Sequence, residues 1–125
     1  MQKARPIYLN LIQITLPIGG WVSIMHLASG VALCLAAPLL LYGLMLSLRS
    51  PVDFEVVTGF LSGWFGFLIL LGVIWSTLHH LFAGLRHLGF DLGLGEAKLT
   101  ARLTAWAVLF ATLGLTGLFG LGVLL

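Results

Sequence analysis

Three long apolar runs dominate the pattern of this chain, and they extend over about residues 18–48, 57–85 and 103–125. The helices predicted from them span about 18–48, 57–87 and 103–125. Each run exceeds the about 20 residues that a helix needs to cross the hydrocarbon core of a bilayer. Pro38 falls inside the first run, where neighbouring helices can satisfy the carbonyl group that a proline leaves free. The pattern therefore predicts an all-α integral membrane protein with three transmembrane helices packed in a bundle.

Polar residues separate these runs and precede the first of them. Residues 49–55 and 86–102 are predicted to be loops, and Gly93 and Gly95 are turn formers in the second loop. Residues 1–15 are a mixed segment, predicted to include a short amphipathic piece that lies on the membrane surface.

The composition agrees with a membrane location. The chain has 125 residues, of which 60% are hydrophobic and 8% are charged, whereas a soluble domain has about 25% charged residues. The net charge of +2 is too small for nucleic-acid binding, which depends on the neutralisation of many phosphates. Residues 1–125 are therefore predicted to be a single membrane-anchor domain that contacts the lipid bilayer and no nucleic acid.

The cationic residues are unequally divided between the two ends of the predicted bundle. Three spans place the N-terminus and the second loop on one side, and that side holds five cations: Lys3, Arg5, Arg86, Lys98 and Arg102. The other side holds Arg49 alone. The positive-inside rule thus predicts a cytoplasmic N-terminus and a periplasmic C-terminus. Neither a cleavable signal peptide nor a transit peptide is evident, so we expect a bacterial inner membrane, with the mitochondrial inner membrane as the alternative.

The candidate chemistry lies near the end of the second run. Four residues fall within a sector of roughly 60° on one helical face: His80, Gly84, His87 and Asp91. An imidazole inside hydrocarbon is costly, and it marks a functional site by default. A glycine one turn away leaves room for a flat group against the helix backbone. This combination suggests an axial haem ligand at His80.

A second stripe that contains polar residues lies on the first predicted helix. Its members share a face within roughly 100°: Ser23, His26, Leu27, Gly30 and Cys34. His26 and His80 are each expected roughly 10 Å below the cytoplasmic surface, at about 1.5 Å per residue. The two stripes are therefore expected to meet in the inner half of the membrane, where haem propionates or a quinone headgroup would need hydrogen-bond partners.

Several of these residues also have a purely structural explanation. His79 points roughly 100° away from His80 and is predicted to make a packing or partner contact. Ser23 and Ser29 can hydrogen-bond back to helix carbonyls, and Arg86 can extend from the helix end to the membrane interface. From spacing alone, a ligand role and a structural role for His80 both remain open.

Two segments also carry a resemblance to a known family. The first comprises Arg5-Pro6, Leu9, Ser23-Ile24-Met25-His26 and Ser29-Gly30. The second and more specific segment is His80-x-x-x-Gly84-Leu85-Arg86-His87-Leu88-x-Phe90-Asp91-x-Gly93. In these residues, and in length and number of spans, the chain resembles the cytochrome b-type membrane anchors of succinate dehydrogenase.

The resemblance implies a complex with a second membrane anchor, an iron–sulfur subunit and a flavoprotein subunit. Electrons from succinate would pass through the flavin and the iron–sulfur clusters to ubiquinone. Haem b would lie between the two anchors, in a bundle that they share, with His80 as an axial ligand of its iron and a partner histidine as the second. The chain itself would carry no catalytic residue and no flavin or succinate site.

The resemblance implies roles for four further residues. His26 would lie beside the haem propionates, and Arg86 would meet the charge of a propionate or of a phospholipid. Ser23 and Asp91 would belong to the ubiquinone pocket, where Asp91 could help to deliver protons. Leu27 departs from the family, which has arginine there. Either a partner supplies that charge, or the pocket binds the quinone through Ser23 and apolar walls.

Two alternative functions remain open at the level of the sequence. One is the anchor of a fumarate reductase, in which the electrons run in the opposite direction. The other is a haem-free structural anchor that docks a soluble enzyme. A small multidrug-type transporter is disfavoured because it needs an acidic residue in mid-membrane, whereas the acidic residues here lie in or beside predicted loops: Asp53, Glu55, Asp91 and Glu96.

Overall fold

The computed structural model describes residues 15–125, which form four helices and, within that range, no strand. The helices are α1 (Ile18–Ser47), α2 (Pro51–Ser62), α3 (Trp64–Asp91) and α4 (Lys98–Leu124). Three of them, α1, α3 and α4, are long and apolar enough to cross a membrane. The predicted all-α fold with three spans is therefore confirmed. The predictions for the N-terminal segment, including Lys3 and Arg5, fall outside the described residues.

The connection between the first two spans is a helix, so the predicted loop at 49–55 was wrong. Pro51 occupies the start of α2, where its fixed φ is already suited to a helix. Ser50 caps this helix, because its hydroxyl oxygen accepts a hydrogen bond from the Asp53 backbone N–H at 3.1 Å. The capping signal is visible in the sequence, but the apolar residues of α2 continue directly into the second run.

A break at Gly63 separates α2 from the second span, which begins at Trp64 and not near residue 57 as predicted. Gly63 has an extended backbone, with ψ 162°. The chain folds tightly here, because a Cβ atom at Gly66 would overlap the carbonyl oxygen of Phe60. Hydropathy does not change across this point, which is why the run appeared continuous.

The second predicted loop is also shorter than expected. The prediction ended the second span at 87 and began the third at 103, whereas α3 continues to Asp91 and α4 begins at Lys98. A Schellman motif ends α3: Gly93 N–H donates to the Phe90 carbonyl and Leu94 N–H to the Gly89 carbonyl, each at 2.8 Å. Gly93 has φ +73°, as this motif requires. The helix thus continues through its polar residues until a glycine can end it.

Of the three spanning helices, α3 is the one against which both α1 and α4 pack. The fully or nearly buried hydrophobic residues are all small: Val22, Ala83, Ala105 and Val108. Most large apolar side chains face outward, and Leu27, for example, is 71% exposed. Such a distribution is expected where lipid or a partner helix surrounds the bundle. This packing brings α1 and α3 close together at the end where α3 finishes.

Candidate functional site

Three histidines from α1 and α3 form a cluster at this end of the bundle. The ring of His26, on α1, stacks on that of His80, on α3, with centroids 4.2 Å apart and planes inclined by 22°. The ring of His87 lies 5.3 Å from that of His26. We call these three residues the histidine cluster. The expected meeting of the two polar stripes is confirmed at these side chains.

The His80 ring is oriented by the backbone of α1. Its Nδ1 lies 3.1 Å from the His26 carbonyl oxygen and 3.5 Å from Ser29 Oγ. Because a carbonyl oxygen can only accept, Nδ1 is the donor and carries the proton. In the neutral imidazole, Nε2 is then unprotonated and can bind a metal ion, while Nδ1–H donates to a backbone carbonyl as in most metal-ligating histidines. The residues present therefore fit a haem with His80 as axial ligand.

Ser29 and Gly30 complete the support of His80. Ser29 Oγ donates a hydrogen bond to the His26 carbonyl at 2.9 Å, which confirms the predicted bond back to the helix. A Cβ atom at Gly30 would lie 2.8 Å from His80 Cε1, closer than real Cβ contacts allow. Only glycine therefore lets the imidazole rest against α1. The helical period places Gly30 on the correct face of α1, but nothing in the sequence indicates this role.

Gly84 was expected to leave room for a flat group, and in the structure the ring that lies there is that of His26. A Cβ atom at Gly84 would lie 3.3 Å from His26 Nε2. The two helices thus exchange imidazoles, since His80 rests on Gly30 of α1 while His26 rests on Gly84 of α3. The sequence shows both glycines, but their pairing with histidines depends on how the helices cross.

Ser23 joins the cluster through His87. Ser23 Oγ donates to the Gly19 carbonyl at 3.1 Å, as predicted for a serine inside a helix. The same oxygen lies 3.2 Å from His87 Nε2, a hydrogen-bond distance at which the His87 tautomer decides which of the two groups donates. Ser23 and His87 therefore form a polar pair at the edge of the histidine cluster.

Arg86 is not brought to the histidine cluster. Its Nε donates to Thr104 Oγ1 at 3.2 Å and its Nη2 to the Ala101 carbonyl at 3.1 Å, both on α4. The guanidinium also lies 4.4 Å from the centroid of the Phe90 ring. Nothing in the sequence marked Thr104 as its partner, because the two residues meet across the loop between α3 and α4.

Asp91, a predicted site residue, and His79, the neighbour of His80 in the sequence, lie apart from the histidine cluster. Asp91 is the last residue of α3 and is exposed. His79 is fully buried and stacks on Trp75, with centroids 5.1 Å apart. Its Nε2 lies 3.4 Å from the Val22 carbonyl, and the packing role predicted for His79 is confirmed.

The described part of the chain, residues 15–125, holds no group of three or more His, Cys, Asp or Glu side chains that could enclose a metal ion. A haem iron has a different requirement, because the porphyrin supplies four of its ligands and the protein adds only axial ones. A single well-oriented histidine from this chain is therefore compatible with haem.

Comparison with known proteins shows the family to which this chain belongs. Residues 1–119 match the family model described as succinate dehydrogenase/fumarate reductase transmembrane subunit. A succinate dehydrogenase cytochrome b556 subunit of Paracoccus denitrificans is 35% identical over 120 residues, which cover 92% of both chains. The protein of the same name from Coxiella burnetii is 36% identical over 110 residues, covering 86% of this chain and 87% of the relative. A third, from Rickettsia felis, is 31% identical over 112 residues, covering 90% and 87% respectively.

Proposed function

Because this chain belongs to the succinate dehydrogenase/fumarate reductase transmembrane subunit family, we propose that it is the haem b- and ubiquinone-binding membrane anchor of a succinate dehydrogenase. It is a multi-pass membrane subunit of an enzyme complex. Electrons from succinate would reach it through the flavoprotein and iron–sulfur subunits and leave on ubiquinone. The relatives named above are succinate dehydrogenase subunits, which favours this direction over that of a fumarate reductase.

The hydrogen bond from His80 Nδ1 to the His26 carbonyl carries the haem proposal. It leaves Nε2 as the free nitrogen, and we assign this atom to the iron. A b-type haem bound there would accept and pass on single electrons, and the relatives are named as cytochrome b556 subunits. The position and the tautomer of His80 support it as the residue that holds the iron, and the names of the relatives support a haem b.

The second axial histidine is proposed to come from the partner anchor. His26 stacks in parallel on His80, so its ring lies beside that of His80 and cannot face it across an iron atom. His79 is buried against Trp75 and α1. Among the residues described, neither neighbouring imidazole is in a position to provide the opposite ligand.

The remaining site residues receive roles according to their positions. His26, in the histidine cluster, is proposed to lie beside the haem propionates. Ser23, paired with His87, is proposed to hydrogen-bond the quinone headgroup, and the exposed Asp91 to deliver protons to it. A propionate role for Arg86 would require it to leave its partners on α4.

The surface of α1 supports a shared bundle. Leu27 is 71% exposed and Leu35 66% exposed, so this face of α1 is available to another helix. Since Leu27 stands where the family has arginine, we propose that a partner subunit provides the missing cation. The proposed setting is a bacterial inner membrane with the N-terminus in the cytoplasm, on the side of the iron–sulfur and flavoprotein subunits.

The experiment that tests this function is a reduced-minus-oxidised difference spectrum of the purified complex, expressed as haem per flavin. We expect a b-type band in the wild type and its loss in His80→Ala. The matched control is His79→Ala, which removes the adjacent imidazole and should lower stability while the assembled complex keeps its haem. A complete band in His80→Ala would contradict the ligand assignment. A wild-type complex that assembles without haem would identify a structural anchor instead.

A further inference from the structure

Pro38 lies inside α1, which continues as a helix from Ile18 to Ser47 on both sides of it. Proline has no backbone N–H, so the carbonyl oxygen of Cys34, four residues earlier, receives no backbone hydrogen bond within α1. Cys34 stands near the middle of the span, where hydrocarbon holds no water that could replace the missing donor. This carbonyl therefore needs a donor from outside its own helix.

The rest of the chain does not provide that donor. Cys34 and Pro38 are both exposed, and Pro38 lies roughly 180° around α1 from the buried Ser29. Residues 35–41 are all Leu, Ala or Pro, and these side chains have no polar hydrogen. Among residues 15–125, the side chains that donate to backbone carbonyls donate to other residues. The carbonyl thus opens on the side of α1 that faces away from this bundle.

We call that side the outward face of α1, and it includes Leu27, Val31, Cys34 and Pro38. Apart from the carbonyl it is apolar and exposed. Lipid acyl chains could cover its apolar side chains, but they carry no hydrogen-bond donor. A second transmembrane helix can do both, since Ser, Thr, Asn and Gln side chains hydrogen-bond across helices in membranes. A charged donor is far more costly at this depth. The outward face therefore suits a helix with an uncharged polar side chain.

The outward face adjoins the histidine cluster, and this indicates which helix covers it. Cys34 follows one turn after Gly30, on which the His80 ring rests, and the rise between the two is about 6 Å. The partner anchor is proposed above to bring its histidine to the haem at His80 and a cation near Leu27. A helix of that partner would therefore already run beside this part of α1.

We propose that a transmembrane helix of the second membrane anchor docks on the outward face and donates a hydrogen bond from a hydroxyl or carboxamide side chain to the Cys34 carbonyl. The inference rests on the proposed function, because it takes the partner anchor from there. The bond joins the two helices at one point near the middle of the membrane and so fixes their register. Pro38 creates the acceptor, and the partner supplies the donor.

The first test compares how firmly the purified complex retains the partner anchor when it is titrated with sodium dodecyl sulfate in a mild detergent. In Pro38→Ala the new N–H bonds to the Cys34 carbonyl within α1, so the donor of the partner loses its acceptor. We expect the association constant of the two anchors to fall about fivefold, as for the loss of one neutral hydrogen bond. The matched control is Pro51→Ala, which adds an N–H in the first turn of α2, where no helical carbonyl lacks a partner. It should leave retention unchanged.

A second test identifies the occupant and does not depend on the folding of Pro38→Ala. The photoreactive residue p-benzoylphenylalanine is placed at Val31, on the outward face, and the complex is irradiated in the membrane. The second anchor should be the main crosslinked product. The reference position is Phe110, exposed on α4, from which we expect a weaker product with that anchor.

Three results would overturn the proposal. Retention in Pro38→Ala that equals or exceeds that of the wild type would exclude the hydrogen bond. Crosslinking from Val31 to lipid alone would show that acyl chains cover the outward face, and crosslinking to a second copy of this chain would assign it to self-association. Haem per flavin is measured on the same samples. A wild-type complex without haem would contradict the haem assignment while retention and crosslinks could still be read, so the two failures are distinguishable.

Discussion

The histidine cluster and the surroundings of Arg86 lie at the same end of the bundle, yet their polar groups are satisfied in different ways. In the cluster, imidazoles rest on glycines and bond to carbonyl and hydroxyl oxygens of the opposite helix. Around Arg86, by contrast, the guanidinium is anchored to α4, and two further cations of that helix, Lys98 and Arg102, stay exposed. One face of α3 therefore carries imidazoles in fixed orientations, and another face carries the positive charge of Arg86. Because the two faces use different residues, mutations should affect them separately.

Among substitutions that affect the histidine cluster alone, Gly30→Ala is expected to lower haem affinity the most. The added methyl group would meet His80 at 2.8 Å, and overpacking of this kind costs about 1–3 kcal/mol. Haem affinity should fall roughly tenfold or more although every histidine is present. The measurement is haem titration of the apo complex.

Gly43→Ala is the matched control for this substitution, because it lies on the same helix and a Cβ atom there would meet nothing within 4 Å. It should bind haem as the wild type does. Equal affinities of the two variants would show that His80 is not held by close contact with α1.

A smaller effect is expected from Ser23→Ala, which removes the hydroxyl that His87 contacts. A neutral hydrogen bond contributes about 1 kcal/mol, so kcat/KM for quinone reduction should fall about fivefold, with haem content unchanged. Steady-state assays of succinate-dependent quinone reduction provide this value. The control is Ser47→Ala, which removes a serine hydroxyl that bonds back to its own helix at the other end of α1. An equal loss in both variants would exclude a specific role for Ser23.

The smallest effect is expected from Gly84→Ala. Its methyl group would approach His26 Nε2 at 3.3 Å, a contact that a small shift of the ring can relieve. Haem affinity should change about twofold or less, in line with a cost of a few tenths of a kcal/mol. Gly72→Ala, with nothing within 4 Å of the added atom, is the reference on the same helix. A loss as large as that of Gly30→Ala would mean that His26, and not only His80, must keep its position for haem to bind.

The sequence was sufficient to predict features that depend on one helix at a time. The three spans follow from hydropathy, and the shared face of His80, His87 and Asp91 follows from the helical period. α2 was missed because its apolar residues merge with those of the second span, and hydropathy carries no signal for the break at Gly63. The end of α3 was placed too early because polar residues were taken to end the helix before Gly93 did.

Features that depend on two helices could be predicted only in part. The expected meeting of His26 with His80 was correct, because both lie at similar depth on polar stripes. The support of His80 by Gly30 depends on the distance between α1 and α3, which no periodicity gives. Arg86 was assigned to a propionate or a phospholipid, and only the position of Thr104 on α4 shows which way its side chain turns.

The exchange of imidazoles between α1 and α3 has a further consequence, which concerns symmetry. Both helices present the same spacing, a histidine followed four residues later by a glycine, and they run antiparallel, so the contact has a local twofold relation. Symmetry of this kind leaves the two histidines equivalent, and the residues before the glycines distinguish them: Ser29 on α1 and Ala83 on α3, both almost fully buried. The hydroxyl of Ser29 lies 3.5 Å from His80 Nδ1, whereas Ala83 has no hydroxyl to offer His26. This hydroxyl, together with the His87 ring that lies beside His26 alone, thus breaks the symmetry and distinguishes the imidazole proposed to bind iron from its counterpart on α1.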